Sequence, residues 1–391
     1  MRQLHPFYRD TWAEVDLNAI SENVKNIKDG LPKSVELMAV VKANAYGHGA
    51  VDVATEALKS GATYLGVAIL DEAIALRKAD IEAPILVLGY IRPEDVAIAM
   101  ELNLTLTVFQ SSWIDKAKQY LPENLEKRVK CHIKMDSGMA RIGIRTDKER
   151  QALIESLSHT DKFEVEGLYT HLATADELEM TYFEKQQTRF AQMINDFERE
   201  YGEEIPIKHC GNSAAALRFS DRCYNLVRVG ISMYGLSPSP EINGVINVPL
   251  KEAFSLHSRI THVKKLPKGE GISYGVTYET TKEEWIATVP IGYADGWIRA
   301  NQSGDVLVQG RRAKIVGRIC MDQMMILLDQ KVSEGEIVTI IGKNGDDHIT
   351  VDEVARRLQT INYEIPCIIS YRVPRAIMKN GSVSHVHNEI F

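Results

Sequence analysis

Eight short apolar runs recur along residues 36–235 of the chain, and polar residues follow each of them. The runs are rich in Val, Ile, Leu and Ala, as is typical of strands that are buried on both faces. In chain order they are residues 36–43, 63–69, 84–90, 104–109, 130–136, 165–173, 207–213 and 226–235. The pattern therefore predicts eight buried strands.

The connecting segments have the pattern of amphipathic helices. Residues 70–80 (LDEAIALRKAD) begin with acidic residues and are rich in Ala and Leu. Between the sixth and seventh runs, apolar residues recur at three- and four-residue steps, which puts them on one face of a long helix. These residues are Phe183, Phe190, Met193, Ile194 and Phe197. Alternating strands and helices indicate parallel strands, so we expect an α/β fold in which eight units close into a (β/α)8 barrel of the TIM type. An open doubly wound sheet is the alternative.

The pattern changes after about residue 245. Short alternating strands separated by glycine turns replace the strand–helix alternation, with segments SYGVTY, WIATVPIGYADG, VLVQGRRAKIVGRI, MMILL and EIVTIIG and turns at Gly310, Gly342 and Asn344-Gly345. We predict a barrel domain over residues 12–245 and a C-terminal mainly-β domain over residues 246–391. Residues 1–11, or the first alternating segment at 11–17 (TWAEVDL), are candidates to join the second domain.

Composition narrows the class of protein. The 391 residues carry a formal net charge of −7 without any block of like charges, which does not favour nucleic acid as a partner. No apolar run approaches the roughly 20 residues that span a bilayer, and the N-terminal MRQLHPFYRDTW lacks the apolar region of a secretion signal. Five cysteines without a C-x-x-C pair favour a reducing compartment. We therefore expect a cytoplasmic protein with no membrane partner.

Polar and charged residues lie where the predicted strands end. Barrels of this kind carry their chemistry at the carboxyl ends of the strands, so these residues are the candidates. They are Lys42, Asn44, Tyr46 and His48 after the first strand, Lys134, Asp136 and Arg141 at and after the fifth, His171 in the sixth, His209, Asn212 and Ser213 in the seventh, and Arg228, Gly230 and Ile231 in the eighth. A single histidine in a barrel is commonly structural, but the set as a whole predicts a site.

The candidate residues suggest one cofactor. The sequence has no H-E-x-x-H motif, no Cys/His cluster, no G-x-x-x-x-G-K-[ST] loop, no G-x-G-x-x-G loop and no G-x-S-x-G elbow. An amine near other cations has a lowered pKa and can form a Schiff base. Asn212-Ser213 at a predicted helix start, with the backbone N–H groups of Gly230-Ile231, would suit a phosphate. A buried lysine beside such a phosphate site suggests pyridoxal 5'-phosphate.

Nine segments resemble the alanine racemase family, whose bacterial members are fold-type III pyridoxal-phosphate enzymes. In order they are AVVKANAYGHG, KMDSGMARIG, THLATADE, HCGNSAA, VRVGISMYG, GISYGVTY, IGYADGW, RICMDQ and TINYE. The resemblance runs from Thr11 to Arg375, and the combination of the lysine block with the SYG and GYADG blocks is highly specific. It implies an isomerase that interconverts L-alanine and D-alanine and supplies D-alanine for peptidoglycan.

The resemblance implies roles for the residues at the reaction centre. Lys42 would bind pyridoxal 5'-phosphate as an internal aldimine and then move the Cα proton of the D-enantiomer, while Tyr274 would serve the L-enantiomer. A tyrosine with a pKa near its ordinary value of about 10 is a weak base, so a chain Tyr274–His171–Arg228 is expected to activate it. Arg228 would face the pyridine nitrogen and, since arginine holds its proton, leave that nitrogen largely unprotonated. This favours racemisation over transamination.

Further residues would hold the cofactor and the substrate. By resemblance, the cofactor-binding residues are Lys42, Tyr46, His171, His209, Asn212, Ser213, Arg228, Gly230, Ile231 and Tyr363. Arg141 would contact the phenolic oxygen of the cofactor or the substrate carboxylate, and the backbone N–H of Met321 would bind the substrate carboxylate. In many relatives the lysine at the position of Lys134 carries a carbamate (N6-carboxylysine), which would pair with Arg141, whereas an unmodified lysine would repel it. Chloride in the same role is an alternative.

The resemblance also implies a homodimer with two shared active sites, because Tyr274, Tyr293 and Met321 would come from the partner subunit. A narrow access route would favour alanine over larger amino acids, with serine as a second substrate. The residues lining this route would be Asp176, Tyr293, Arg299, Arg318, Ile361 and Tyr363. One residue departs from the family pattern: Ala140 stands where a glycine is expected before Arg141. Alanine would be strained there if the backbone requires a positive φ.

Three alternatives stay open. A fold-type III decarboxylase would carry a Gly-rich phosphate loop and a carboxylate at the ring nitrogen, and Arg228 and Tyr274 argue against it. A pyridoxal phosphate carrier without catalytic activity would not need the second domain. A racemase of broad specificity, acting on serine or larger amino acids, would differ in the width of the access route, which depends on distances.

Overall fold

The structure is a computed structural model that describes residues 7–123 and 127–390. The chain divides into two compact units. The barrel unit comprises Ile20–Ala45 and Ala50–Lys251, and the β unit comprises Tyr46–Gly49 together with the described residues of 1–19 and 252–391.

Eight parallel strands form the barrel unit, and each of the eight predicted runs overlaps one of them. Labels follow the whole chain, so the first strand, β1 (Thr11–Asp16), belongs to the β unit. The barrel strands are β2 (Glu36–Val40), β3 (Tyr64–Val67), β4 (Ile85–Val87), β5 (Thr105–Val108), β6 (Val129–Lys134), β7 (Phe163–Tyr169), β8 (Ile207–His209) and β9 (Leu226–Val229). Neighbours in the sheet follow chain order from β2 to β8, and β9 pairs with β2.

Hydrogen bonds between β8, β9 and the residues next to them nearly close the barrel. Asn225 N donates to Lys208 O over 3.3 Å, and Arg228 N donates to Gly211 O over 3.0 Å. The strand order and this closure confirm the predicted barrel, and the open doubly wound sheet is wrong. Because the strands are parallel, their carboxyl ends meet at one edge, where the polar residues singled out in the sequence follow them.

Helices connect the strands, as the amphipathic patterns predict. Those up to residue 251 are α1 (Leu17–Asp29), the short segment α2 (Lys42–Tyr46), α3 (Ala50–Lys59), α4 (Leu70–Lys78), α5 (Val96–Glu101), α6 (Ser111–Ala117), α7 (Asp147–Ser158), α8 (Thr181–Tyr201) and α9 (Ser213–Arg218). Short 3₁₀ helices cover Pro93–Asp95, Lys118–Tyr120, Ser220–Arg222, Ile231–Tyr234 and Pro240–Ile242. Helix α8 buries Phe183, Phe190, Ile194 and Phe197 on one face, as its periodicity predicts.

The β unit is built around one large sheet. Its later strands are β10 (Phe254–Arg259), β11 (His262–Leu266), β12 (Gly271–Ile272), β13 (Tyr278–Glu279), β14 (Glu284–Val289), β15 (Asp305–Val308), β16 (Arg311–Val316), β17 (Met324–Leu328), β18 (Ile337–Asn344), β19 (Asp347–Ile349), β20 (Arg375–Lys379) and β21 (Ser382–His387). The sheet order is β11-β14-β17-β16-β15-β18-β10-β1-β20-β21, with β19 on β18 and a separate pair β12-β13. Its helices are α10 (Val351–Arg357) and α11 (Glu364–Ile368), with 3₁₀ helices at Tyr293–Asp295 and Arg299–Ser303.

The first alternating segment contributes β1 to this sheet, where β1 pairs antiparallel with β10 and parallel with β20. Two local predictions are wrong. SYGVTY is a turn rather than a continuous strand, because Ser273, Gly275 and Val276 have φ values of 64°, 73° and 46°. Gly342 lies inside β18 and not at a turn. Among the described residues, no helix is long and apolar enough to cross a membrane.

Candidate active site

Lys42 follows β2 and begins an unusual backbone segment. The next four residues, Ala43 to Tyr46, have φ values of 52° to 54°, which form a left-handed turn. L-residues rarely adopt this conformation, since the side chain then approaches the following carbonyl oxygen. Strain of this kind persists only where the surroundings hold it, and it concentrates at functional sites.

Hydrogen bonds from the barrel unit hold the left-handed turn. Ala43 N donates to Glu72 Oε1 over 2.6 Å, and Ala50 N donates to Asn44 Oδ1 over 2.8 Å. The second oxygen of Glu72 accepts from Ala68 N over 2.7 Å. Glu72 therefore ties the turn after Lys42 to the start of α4. In the sequence, Glu72 is marked only as one of the acidic residues near the start of the segment 70–80.

Arg228 is the centre of a buried polar cluster. Its side chain is nearly inaccessible, and Nη2 donates to the backbone oxygens of Thr170 (2.8 Å) and Cys210 (3.2 Å). Nη1 lies 2.8 Å from His209 Nδ1, and Nη2 lies 3.2 Å from His171 Nδ1. Since arginine has no acceptor, both imidazoles accept at Nδ1 and, when neutral, carry their proton on Nε2. Within the described residues, Nε of Arg228 has no hydrogen-bond partner.

Cations dominate the field at this edge of the barrel. Burial first, and then the charges of Arg228, Lys134, Arg141 and Lys42, lower the pKa of His171 well below its usual value. Burial and Arg228 likewise lower the pKa of His209. Both imidazoles are therefore neutral at pH 7. Arginine and lysine side chains around two neutral rings form a site that is complementary to an anionic ligand.

Lys134, at the end of β6, is a buried amine without a hydrogen-bond partner among the described residues. Its side chain is 3% exposed, and Nζ lies 4.4 Å from the ring centroid of Tyr169. Burial first, and then Arg228 and Arg141, lower its pKa well below the usual value. A buried amine of low pKa is neutral for part of the time, and a neutral amine can react with an electrophile.

The loop after β6 carries Arg141 and is shaped by Asp136. Asp136 Oδ1 accepts from the N–H groups of Gly138 (3.0 Å) and Ala140 (2.9 Å), and Oδ2 accepts from Arg145 Nη1 (3.0 Å). Ala140 has a φ of 57°, so the position does require a positive φ. The expected strain at Ala140 is therefore present next to Arg141, whose side chain is exposed.

Two helix starts meet around Ser213. Asn212 caps α9 by accepting from Ala215 N over 3.1 Å, so Ser213 stands at the first helical position. Ser213 Oγ accepts from Gly230 N over 2.9 Å, and Ile231 begins the 3₁₀ helix Ile231–Tyr234. Because Ser213 Oγ already accepts a hydrogen bond, its own hydrogen is available to donate to a ligand. The arrangement has the donors that a phosphate requires.

The β unit brings five of its candidate residues together through the segment 318–321. Ser273 Oγ donates to Arg318 O (2.6 Å), beside Tyr274. Tyr293 N donates to Cys320 O (3.0 Å), and Arg299 Nε donates to Ile319 O (3.3 Å). Tyr274, Tyr293 and Met321 are 68%, 41% and 53% exposed.

The other candidates lie elsewhere in their units. In the β unit, Tyr46 is buried with its ring centroid 6.2 Å from that of Tyr363, and burial raises its pKa. Ile361 is 60% exposed. In the barrel unit, Asp176 is half-buried, and its backbone oxygen accepts from Ser239 Oγ over 2.6 Å.

Some residues of the barrel cluster were not singled out in the sequence. His132 and Glu166 lie in predicted strands and extend the polar cluster beyond His209. A histidine inside the apolar run at 130–136 was the available signal for His132. Nothing in the alternation of β7 marks Glu166 as an interior residue.

Comparisons with known proteins cover nearly the whole chain. Residues 15–238 match the family model described as alanine racemase, N-terminal domain, and residues 253–377 match alanine racemase, C-terminal domain. The chain is 54% identical over 384 residues to an alanine racemase of Geobacillus kaustophilus, covering 98% of each sequence. A crystal structure of Bacillus anthracis alanine racemase with bound L-Ala-P matches at 52% identity and a TM-score of 0.95, covering 98% of this chain and 99% of that one. A histidine racemase of Leuconostoc mesenteroides matches at 30% identity and a TM-score of 0.86, covering 96% and 100%.

Proposed function

The chain belongs to the alanine racemase family, and from this premise we propose that it interconverts L-alanine and D-alanine. It is a pyridoxal-phosphate-dependent amino-acid racemase. The observation that carries the proposal is the buried Arg228, which neutral imidazoles and backbone oxygens hold inside a cation-rich barrel edge next to Lys42.

The side chains fit pyridoxal 5'-phosphate, which is anionic and has one basic ring nitrogen. Lys42 would hold it covalently, and the unpartnered Nε–H of Arg228 would serve the ring nitrogen. Ser213, Gly230 and Ile231 have the donors for the phosphate. We assign Tyr46, Tyr363, Asn212, His171 and His209 to the same set. When bound, the cofactor makes the Cα–H of an attached amino acid acidic enough to be removed.

Two bases on opposite faces of Cα would accomplish the inversion. We assign the amine of Lys42 to the D-enantiomer and the phenol oxygen of Tyr274 to the L-enantiomer. His171 supports the second assignment, because its Nδ1 accepts from Arg228 and its Nε2–H is therefore available to stabilise a phenolate. Its lowered pKa keeps this imidazole neutral, so it holds rather than loses that proton.

Arg228 also bears on reaction specificity. A guanidinium donates a hydrogen bond to the ring nitrogen without transferring a proton. With Arg228 in this role, return of the proton to Cα would be favoured. A decarboxylase or transaminase would be served better by a carboxylate at this position.

Arg141 and the backbone N–H of Met321 would bind the substrate carboxylate. We propose that Lys134 carries a carbamate, since its low pKa favours the neutral amine that reacts with carbon dioxide and since a carbamate would pair with Arg141. Chloride beside Arg141 would supply the same negative charge.

We propose a homodimer in which Tyr274, Tyr293 and Met321 complete the site of the partner subunit. Their exposure supports this assignment, since large apolar side chains on one surface are typical of an interface. Asp176, Tyr293, Arg299, Arg318 and Ile361 would line the access route, and a narrow route would favour the methyl side chain of alanine. D-alanine for peptidoglycan, made in the cytoplasm, is the proposed setting.

A racemase of broader specificity is the second candidate. The similarity to a histidine racemase favours it, because the same fold accepts a larger amino acid in that protein. The two candidates differ in how strongly the access route and Met321 exclude amino acids with side chains larger than methyl.

Chiral chromatography after incubation with L-alanine, L-serine, L-histidine and L-ornithine tests the proposal. We expect rapid formation of D-alanine and much slower formation of the other D-amino acids. Lys42→Ala should abolish both racemisation and the absorbance of lysine-bound cofactor. A comparable rate with L-serine or L-histidine would favour the broader enzyme. Carbon dioxide without any D-amino acid would refute racemisation.

A further inference from the structure

A chain of polar side chains runs through the barrel interior away from Arg228. It consists of Arg228, His209, His132 and Glu166, and we call it the lumen chain. Arg228 Nη1 lies 2.8 Å from His209 Nδ1, and His209 Nε2 lies 2.9 Å from His132 Nδ1. His132 Nε2 then lies 3.6 Å from Glu166 Oε2, an electrostatic contact slightly longer than a hydrogen bond. Both histidines are fully buried.

The donors of the lumen chain must all point away from Arg228. Arginine only donates, so His209 accepts at Nδ1 and carries its proton on Nε2. That proton is donated to His132 Nδ1, which leaves the proton of His132 on Nε2, facing Glu166. Burial lowers the pKa of both imidazoles, so each carries a single proton. The direction is therefore fixed at one end by the guanidinium and at the other end by the carboxylate.

Glu166 enters the barrel interior because β7 contains a bulge. Cys131 on β6 pairs with Val165, but the next residue, His132, pairs with Gly167, so Glu166 is the extra residue. A bulge redirects the side chain of the extra residue. Gly167 leaves the necessary space, since a Cβ there would lie 2.6 Å from the His132 ring.

Contacts from several strands keep Glu166 ionised and oriented. Oε1 accepts from Lys130 Nζ over 3.3 Å, and Oε2 accepts from Thr105 Oγ1 over 3.1 Å. On β3, burial and then the charge of Glu166 raise the pKa of Tyr64. Burial opposes ionisation of Glu166, but His132, Lys130 and Thr105 lower its pKa to about 2. Glu166 is thus a permanent anion and acceptor at the end of the lumen chain.

We propose that Glu166 is a positioning residue for racemisation, which acts through His132 and His209 to hold the guanidinium of Arg228 in one orientation. The proposal rests on the proposed function, which assigns Arg228 to the cofactor. Glu166 itself contacts neither cofactor nor substrate in this assignment. Its carboxylate favours the same imidazole tautomers that Arg228 requires, so the lumen chain restrains the guanidinium from the far end.

Glu166→Gln tests the proposal, because it replaces the acceptor at the end of the lumen chain with a hydrogen-bond donor and barely changes the shape of the side chain. Lys130 can only donate, so it retains the amide oxygen of the new side chain at the Oε1 position. The amide NH₂ then occupies the Oε2 position and faces His132 Nε2. To accept from it, His132 must move its proton to Nδ1, where it opposes the Nε2–H of His209. The conflict weakens the restraint on Arg228.

The readouts are ¹⁵N NMR of the histidine imidazoles in the holoenzyme and steady-state racemisation of alanine. In the wild type we expect His132 and His209 to carry their protons on Nε2. In Glu166→Gln, we expect His132 to carry its proton on Nδ1 and kcat to fall roughly 10- to 100-fold, as for outer partners of metal-bound imidazoles. The KM for alanine should change far less. Glu164→Gln, an exposed position on the same strand, is the matched control.

Retention of the Nε2 proton on His132 in Glu166→Gln, or a kcat equal to that of Glu164→Gln, would overturn the proposal. Should Glu166→Gln fail to fold, Glu166→Asp carries the test: it keeps the charge, so the wild-type tautomers must persist. The NMR readout does not depend on the substrate. A wild-type protein that fails to racemise alanine therefore refutes the proposed function, whereas an unchanged tautomer refutes the role of Glu166.

Discussion

The left-handed turn after Lys42 leads to a quantitative prediction about Glu72. Ala43, Asn44, Ala45 and Tyr46 all have φ near 52°. At about 1–2 kcal/mol per residue, the turn stores roughly 4–8 kcal/mol of strain. Glu72 opposes that strain by accepting from Ala43 N and Ala68 N. Replacing Glu72 with Gln keeps the shape of the side chain but leaves a single acceptor for the two N–H groups.

The expected cost follows from these two hydrogen bonds. One of them is lost, and its N–H group faces an amide donor instead. A hydrogen bond to a charged group contributes about 1.5–3 kcal/mol, and we take the lower end because water reaches this side of Ala43. The free energy of unfolding should therefore fall by about 2 kcal/mol, which lowers the Tm by about 2–3 °C for a chain of this length that unfolds in one step.

Asp71→Asn is the matched control for Glu72→Gln. Asp71 precedes Glu72 in the first turn of α4 and is exposed. Asp71→Asn therefore removes the same charge from the N-terminus of α4 as Glu72→Gln does, without affecting the left-handed turn after Lys42. Calorimetry would give the stability of both variants, and dialysis against cofactor-free buffer would give the rate of cofactor loss. Glu72→Gln should be less stable and lose the cofactor faster than Asp71→Asn.

A glycine at position 43 supplies an internal check. Glycine adopts a positive φ without strain, so Ala43→Gly should recover stability in the Glu72→Gln background and less in the wild type. If Glu72→Gln and Asp71→Asn are equally stable and lose the cofactor at the same rate, the carboxylate does not hold the turn. The reasoning from strain would then be refuted.

Two further predictions concern the β unit. Burial raises the pKa of Glu252 to about 7. The protonated carboxyl therefore stabilises the fold below the ordinary pKa of glutamate, and this contribution is lost as the pH rises through about 7. Relative to the wild type, Glu252→Gln should gain stability from pH 5 to pH 8, by at most about 3 kcal/mol. A stability difference that is constant with pH in urea titrations would contradict this. If each site combines Lys42 of one chain with Tyr274 of the other, mixing inactive Lys42→Ala and Tyr274→Phe subunits should restore activity in hybrid dimers, whereas sites within single chains would leave every hybrid inactive.

The barrel, and the polar residues where its strands end, could be predicted from the sequence because the relevant signals are local. Continuous apolar runs mark strands that are buried on both faces, and Lys42, His209 and Arg228 lie at or near the carboxyl ends of the strands that these runs form. The Tyr274 segment was predicted as a strand because Tyr, Val and Thr favour strands. The backbone forms a turn there instead, with positive φ values at Ser273, Gly275 and Val276.

The turn after Lys42 and the role of Glu166 could not be predicted, for different reasons. Alanine has no preference for a left-handed backbone, so only the contacts of Ala43 with Glu72 and of Asn44 with Ala50 reveal the turn. Glu166 faces the interior because of a pairing shift with β6. Pairing between strands is a property of the folded sheet, and the alternation within one strand does not encode it.

The extra residue in β7 constrains any attempt to redesign this barrel. Side chains alternate between the two faces of a strand, so removing one residue would exchange inward and outward positions on one side of the deletion. Val165 would then take the place of Glu166 opposite His132, and an aliphatic group would replace an anion. A strand grafted from a barrel without this insertion could match every length and hydrophobicity criterion and still reverse the polarity of the interior. A redesign should therefore keep the extra residue of β7 in the backbone before any side chain is chosen.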